Sequence, residues 1–108
     1  MKYAVEISRQ AETDLREIYE YIAFDLQAPE NAGGQIERLE TCISGLSYMP
    51  QRFRGYEKEP WKSRGLRVVP VDNYLVFYIA DDNTETVTII RVMYGGRDVD
   101  SQLSKYTK

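Results

Sequence analysis

The sequence predicts an α+β fold: a small antiparallel β-sheet with an N-terminal α-helical hairpin packed on one face, in the order β-α-α-β-β-β. Three observations predict it. Two apolar stripes at helical spacing fill the first half, at Ala11, Leu15, Ile18, Ile22 and Leu26, then at Ala32, Ile36, Leu39, Ile43 and Leu46. Only a short break at Ala28-Pro29 divides them, as in an antiparallel helix pair. The second half holds three runs rich in β-branched and aromatic residues, separated by short polar turns. The 108 residues are read as one domain, 1–108, with one modest core.

Each element has a local reason. Residues 2–7 (KYAVEI) alternate, with Tyr3, Val5 and Ile7 on one side, and read as a short strand. Ser8 stands where a helix N-cap belongs. Glu12 and Asp14 follow in the first turns, where acids suit the helix dipole. Pro29 fits the first turn of the second helix, and Pro50 marks its end. Gly33 and Gly34 weaken that helix by up to roughly 1 kcal/mol each relative to Ala. Residues 50–65 show no period and read as a loop. Leu66–Val71 and Tyr74–Ala80 flank Asp72-Asn73, a hairpin signal. A turn at 81–85 precedes the strand 86–94. Gly95-Gly96 ends that strand, and a polar, partly helical tail follows over 97–108.

Composition excludes several chemistries. There is no histidine, so no Ser-His-Asp triad, Cys-His pair or His general base exists within the chain. With a single cysteine, neither an internal disulfide nor a Cys/His zinc site can be built. No metal or cofactor is expected. No apolar run approaches the roughly 18–20 residues of a membrane helix, and MKYAVEIS is too polar for a signal peptide. The expected location is the cytoplasm, with no membrane partner. Net charge is −3, but it is unevenly spread: −5 over residues 9–49, +4 over 50–71, −4 over 72–90 and +2 over 91–108. A locally basic surface therefore forms if the 50–71 and 91–108 segments meet in space. Mixed, solvated surface charge is the alternative.

Four segments together resemble the RelE/ParE superfamily of type II toxins. They are Ala11–Ile22 (AETDLREIYEYI), Leu46–Arg52 (LSYMPQR), Gly65–Tyr78 (GLRVVPVDNYLVFY) and Ile90–Asp98 (IRVMYGGRD). The resemblance spans nearly the whole chain. It implies a sheet with the helical hairpin on one side and the other side open. It also implies a cognate antitoxin, with a toxin–antitoxin heterotetramer among the assemblies expected. Two target classes exist in the superfamily. ParE-like members inhibit DNA gyrase, and RelE-like members cut mRNA on the ribosome.

Cleaving RNA with its own 2′-OH needs charge stabilisation and two proton movements. By resemblance, the residues for that task are Arg67 on the first hairpin strand, Arg97 in Gly-Gly-Arg-Asp, Tyr94, and Tyr106 near the C-terminus. Leu75 and Val69 stand where RelE-like ribonucleases keep basic residues, which removes two charges from a phosphate site. Arg67 is a poor general base, because arginine does not deprotonate in proteins. The acidic balance and the exit strand favour the ParE-like reading, although many ParE-like members have His where Tyr94 stands.

For binding the target or the antitoxin, the candidates are Arg64, Arg67, Arg91, Tyr94, Arg97 and Trp61. Arg91 has a structural alternative, on the open sheet face or paired with an acid such as Asp98. Trp61 has one as a loop anchor over the core edge. Tyr74, Phe77 and Tyr78 read as packing residues, and Cys42 as a small buried one. Opposite charge would steer an acidic antitoxin to the basic 50–71 and 91–108 segments. A third possibility is a binding module that has lost its toxicity.

Overall fold

The computed structural model describes residues 2–96 and 98–106, the last two of these by backbone alone. Strand β1 (Ala4–Ile7) leads into helix α1 (Arg9–Glu20), which runs into a π-helical turn at Tyr21–Asp25. Helix α2 (Pro29–Gly45) returns antiparallel, and a short 3₁₀ turn (Pro50–Arg52) opens the long loop. Strands β2 (Leu66–Val71), β3 (Tyr74–Asp81) and β4 (Thr86–Tyr94) form a meander, and helix α3 (Val99–Tyr106) follows. The α+β architecture is the expected one. Sheet order is β1-β4-β3-β2. β2-β3 and β3-β4 are antiparallel, but β1 runs parallel to β4, from Ala4↔Thr86 to Ile7↔Ile89, so the sheet is mixed. A parallel neighbour needs a crossover connection: the helical hairpin carries the chain from β1 to β2 at the far edge, and the β2-β3-β4 meander returns it beside β1.

Ser8 caps α1 as the sequence predicts, accepting from the Ala11 amide at 3.1 Å. The same hydroxyl donates to the Ile90 carbonyl at 3.0 Å, and the Ser8 amide donates to the Ile89 carbonyl at 3.0 Å. One residue therefore ends β1's pairing and starts the helix. The α1 stripe is buried at Ala11 and Ile18 and continues to Ile22 and Ala23. It does not reach Leu26, which is 56% exposed. The π turn explains this. Leu26 bonds back to the Tyr21 carbonyl, five residues away, and the wider turn rotates the following residues out of the helical stripe. Along α2, the buried residues Ala32, Leu39 and Ile43, with Leu46 just beyond, face the sheet as predicted.

Two clusters sandwich the sheet. The first joins both helices to Val69, Val76, Tyr78, Val87, Ile89 and Val92. The second lies on the opposite face and joins Leu66, Val68, Phe77 and Met93 to Trp61 from the loop and Leu103 from α3. The face expected to be open is thus covered. An aperiodic loop and a short helix close it, because they carry just enough apolar side chains to do so. Among the described residues, no helix is long and apolar enough to cross a membrane.

Candidate functional site

The end of β4 was predicted to carry function, and its geometry is tight. Tyr94 is 47% exposed, and its ring meets Tyr74 edge-on at 5.9 Å. The Gly95 amide donates to the Asn73 carbonyl at 2.8 Å, which locks the strand exit to the β2-β3 turn. A Cβ on Gly96 would overlap the Tyr94 ring, so a side chain there would have to displace that ring. Arg97, the next predicted residue, lies outside the described residues. Tyr106 falls in α3, where only its backbone is described.

Arg91 is not on an open face; it is paired with an acid, as the structural alternative expected, but with Asp14 and not Asp98. It is 6% exposed and binds Asp14 of α1 through two nitrogens, at 2.7 and 2.9 Å. Asp14 also accepts the Val92 amide at 2.9 Å. The cause is topological. β1 stops pairing at Ile89, so β4 has a bare edge beyond it. A bulge sets Phe77 against Arg91 and Tyr78 against Ile89, leaving Ile90 unmatched. The Asp14 carboxylate serves the bared amide in place of a strand. Arg91 neutralises the carboxylate and reaches the Gln102 carbonyl of α3. Its role is to join α1, β4 and α3, which corrects its expected place on a binding surface.

The remaining predicted residues are spread out. Arg67 is half-buried and donates to the carbonyls of Gln51 at 3.2 Å and Phe53 at 2.7 Å, holding the 3₁₀ turn to β2. Strand register places Arg67 opposite Tyr78, whereas Val71, Tyr74 and Tyr94 share a row at the sheet's other end. At ~3.3 Å per residue, Arg67 and Tyr94 stand about 13 Å apart along the strands, and they lie two strands apart across them. Trp61 is only 4% exposed and sits in the second cluster, which corrects its reading as a surface contact in favour of the loop anchor. Arg64 is exposed and lies over the Trp61 ring at 4.8 Å, a cation–π contact. The two basic segments do meet, because Asp100 of α3 accepts from both Tyr56 and Lys58.

Two further features were not foreseen: the long-range bonds of Asp72 and Tyr78, and a groove. Asp72, at φ 55°, accepts from Arg38 at 2.7 Å and Gln35 at 3.1 Å. These bonds, Arg38's first, hold its carboxyl below the usual range. Burial pushes the Tyr78 hydroxyl up to about 12, and that hydroxyl donates to the Pro50 carbonyl at 2.5 Å. The second feature is a groove of about 1020 Å³ between the hairpin and the sheet end, bounded by Glu17, Tyr21, Leu26, Glu30, Tyr74 and Tyr94. The exposed acids and the Tyr19-to-Leu26 aromatics were legible in the sequence, but the turn that opens the groove was not.

The family described as ParE toxin of type II toxin-antitoxin system, parDE, matches residues 5–99. Among solved structures, the chain is similar to the chromosomal ParDE toxin–antitoxin system of P. aeruginosa, at 19% identity and TM-score 0.70, covering 86% of this chain and 96% of that one. It is also similar to the RelBE2 complex of Mycobacterium tuberculosis, at 23% identity and TM-score 0.62, covering 87% and 99%. A mutant E. coli RelE toxin in the free state aligns at 16% identity and TM-score 0.66, covering 97% of each chain. At such identities these likenesses show the shared fold. No curated protein matches the sequence.

Proposed function

The chain belongs to the ParE toxin family of type II toxin–antitoxin systems, and from that premise we propose that it halts growth by inhibiting DNA gyrase in the cytoplasm until a cognate antitoxin neutralises it. The observation that carries the reading is the family match over residues 5–99. The separation of Arg67 from Tyr94, and the engagement of Arg67 by two backbone carbonyls, add support. A ribonuclease built on those residues would need them around one phosphate. The test is a gyrase supercoiling assay with the purified protein, run beside primer extension on translated mRNA. Lost supercoiling with intact message is expected. Cuts appearing only on translated message would replace this reading with a RelE-like endoribonuclease, the second reading, which the fold shared with RelE and the presence of Arg97 and Tyr106 in the sequence keep open. Growth unaffected by induction would leave a non-toxic binding module.

The antitoxin docks, on this reading, along the basic rim where loop 53–65 meets α3. Its acidic groups are steered there by Arg54, Lys62 and Arg64, all exposed. Reversing Arg64 and Lys62 to Glu should slow association and weaken its salt dependence. Unchanged rates would refute this approach. Arg67 is a poor choice for that test, since its loss would release the 3₁₀ turn.

A further inference from the structure

The fold engages several of its cations. Arg38, Lys58 and Arg91 each bind an aspartate, and Arg52 and Arg67 donate to backbone carbonyls. Arg9 and Arg16 lie on α1 among Glu12, Glu17 and Glu20, where helical spacing sets opposite charges side by side. Arg54, Lys62 and Arg64 are different. All three are exposed, and among the described residues none has an acidic partner.

Backbone pairing brings these three together. The Tyr56 amide donates to the Leu66 carbonyl at 2.7 Å and the Val68 amide to the Arg54 carbonyl at 3.1 Å, so residues 54–56 run along the outer edge of β2. Arg54 stands opposite Val68, whose side chain belongs to the second cluster, and directly opposed residues share a face. Arg64 lies over the Trp61 ring of the same cluster. Both guanidiniums therefore lie on the side of the sheet that carries α3. Val68 and Arg64 are four residues apart, so the cations fall within about 13 Å of edge. Each strand of duplex DNA sets a charge about every 3.4 Å along the axis, so about four phosphates of one strand lie along such a rim. The indole supports the Arg64 guanidinium, a fork whose N–H groups match phosphate oxygens. None of the large apolar side chains left exposed lies between residues 53 and 65. A protein partner must bury apolar surface beyond such a rim, whereas a polyphosphate draws its affinity from the cations themselves.

We propose that Arg54, Lys62 and Arg64 form a binding site for the phosphate backbone of duplex DNA, so that the toxin holds the substrate of its target as well as the target. The proposal rests on the gyrase reading, and the antitoxin's acidic groups compete for the same cations. The probe is a short fluorescein-labelled DNA duplex of mixed sequence, titrated by anisotropy against the full chain. Three phosphate contacts predict a slope of about −2.7 in log affinity against log salt, or about fortyfold weaker binding at about 200 mM than at about 50 mM. Arg54→Glu, Lys62→Glu and Arg64→Glu together should abolish binding. Arg54→Lys with Arg64→Lys keeps the charge and should keep the slope, an outcome that misfolding cannot produce. Arg9→Glu with Arg16→Glu should change affinity less than threefold. Trp61, the single tryptophan, reports contact at Arg64 through a change in its emission as duplex is added. No binding at the lower salt, equal losses from the α1 and rim reversals, or unchanged Trp61 emission at saturation overturns the proposal. So does tenfold tighter binding of an RNA duplex of the same length, which points to the ribosomal reading. The assay contains no gyrase. Supercoiling lost to a chain that ignores the duplex sinks this proposal alone, and duplex binding with supercoiling untouched sinks the gyrase reading alone.

Discussion

Removing Asp14 tests the account of the bare β4 edge most directly. Asp14→Ala removes the carboxylate that serves two groups: the Arg91 guanidinium, in a residue 6% exposed, and the Val92 amide. Breaking one side of a buried ion pair costs about 3–5 kcal/mol. Folded domains hold only about 5–15 kcal/mol in all. At about 4–8 °C per kcal/mol for a chain near this size, the thermal midpoint should fall by roughly 12–40 °C. The paired variant Asp14→Leu/Arg91→Met removes both charges with similar bulk. It should recover part of the loss, falling short by about 1–3 kcal/mol because the Val92 amide stays unserved. Urea unfolding followed by circular dichroism, arranged as a double-mutant cycle, gives the coupling. Coupling near zero, or a cost below about 1 kcal/mol for Asp14→Ala, would show that the carboxylate is not what closes this edge.

Three further outcomes are expected. Tyr78→Phe leaves the Pro50 carbonyl unpaired and should cost about 1–3 kcal/mol in urea unfolding. Because burial raises the Tyr78 pKa from 10.0 to about 12, its stabilising share is complete below pH 10 and lost as pH climbs to about 12, so wild type and Tyr78→Phe should converge across that window. Asp72 behaves oppositely. Its lowered carboxyl contributes stability above pH 3.8 that disappears as pH falls further, so the advantage of wild type over Asp72→Asn in thermal midpoint should shrink below that pH. Leu103→Ala should cost about 2–5 kcal/mol and shift the emission of Trp61, the single tryptophan, to the red as its cluster loosens.

The elements declare themselves in the sequence where one local rule acts alone. Ser8 before an apolar stripe gives the cap, Asp72-Asn73 between two β-branched runs gives the hairpin, and Gly95-Gly96 gives the strand's end. Alternation at Tyr3, Val5 and Ile7 identifies a strand, but it carries no information about its neighbour, and the parallel pairing with β4 follows only from the crossover. Asp14 reads as an acid complementing a helix dipole, because its true partner is 77 residues away. The π turn leaves no periodic trace, so Leu26 continues a stripe on paper and faces outward in the fold. Trp61 and Leu103 sit in stretches without period, and for that reason the second face looked bare. The strand exit was legible at Tyr94 and its glycines. Arg91 and Trp61 stayed open between recognition and burial, because their types suit both, and the buried alternative given for each, pairing with an acid and anchoring the loop, is the one the fold adopts.

The parallel seam has a consequence for the order of events in synthesis. Ala4 pairs with Thr86, so the first strand made has no sheet to join until the ribosome has released most of the chain. The helical hairpin emerges early, its apolar stripe facing a sheet that does not yet exist. Contacts of such sequence separation form late and slowly, and an exposed stripe in the interval is open to other surfaces. Activity therefore cannot precede the arrival of β4, and a chain interrupted before Thr86 lacks the strand on which both ends converge. Such a chain should be cleared by proteases without ever having been toxic.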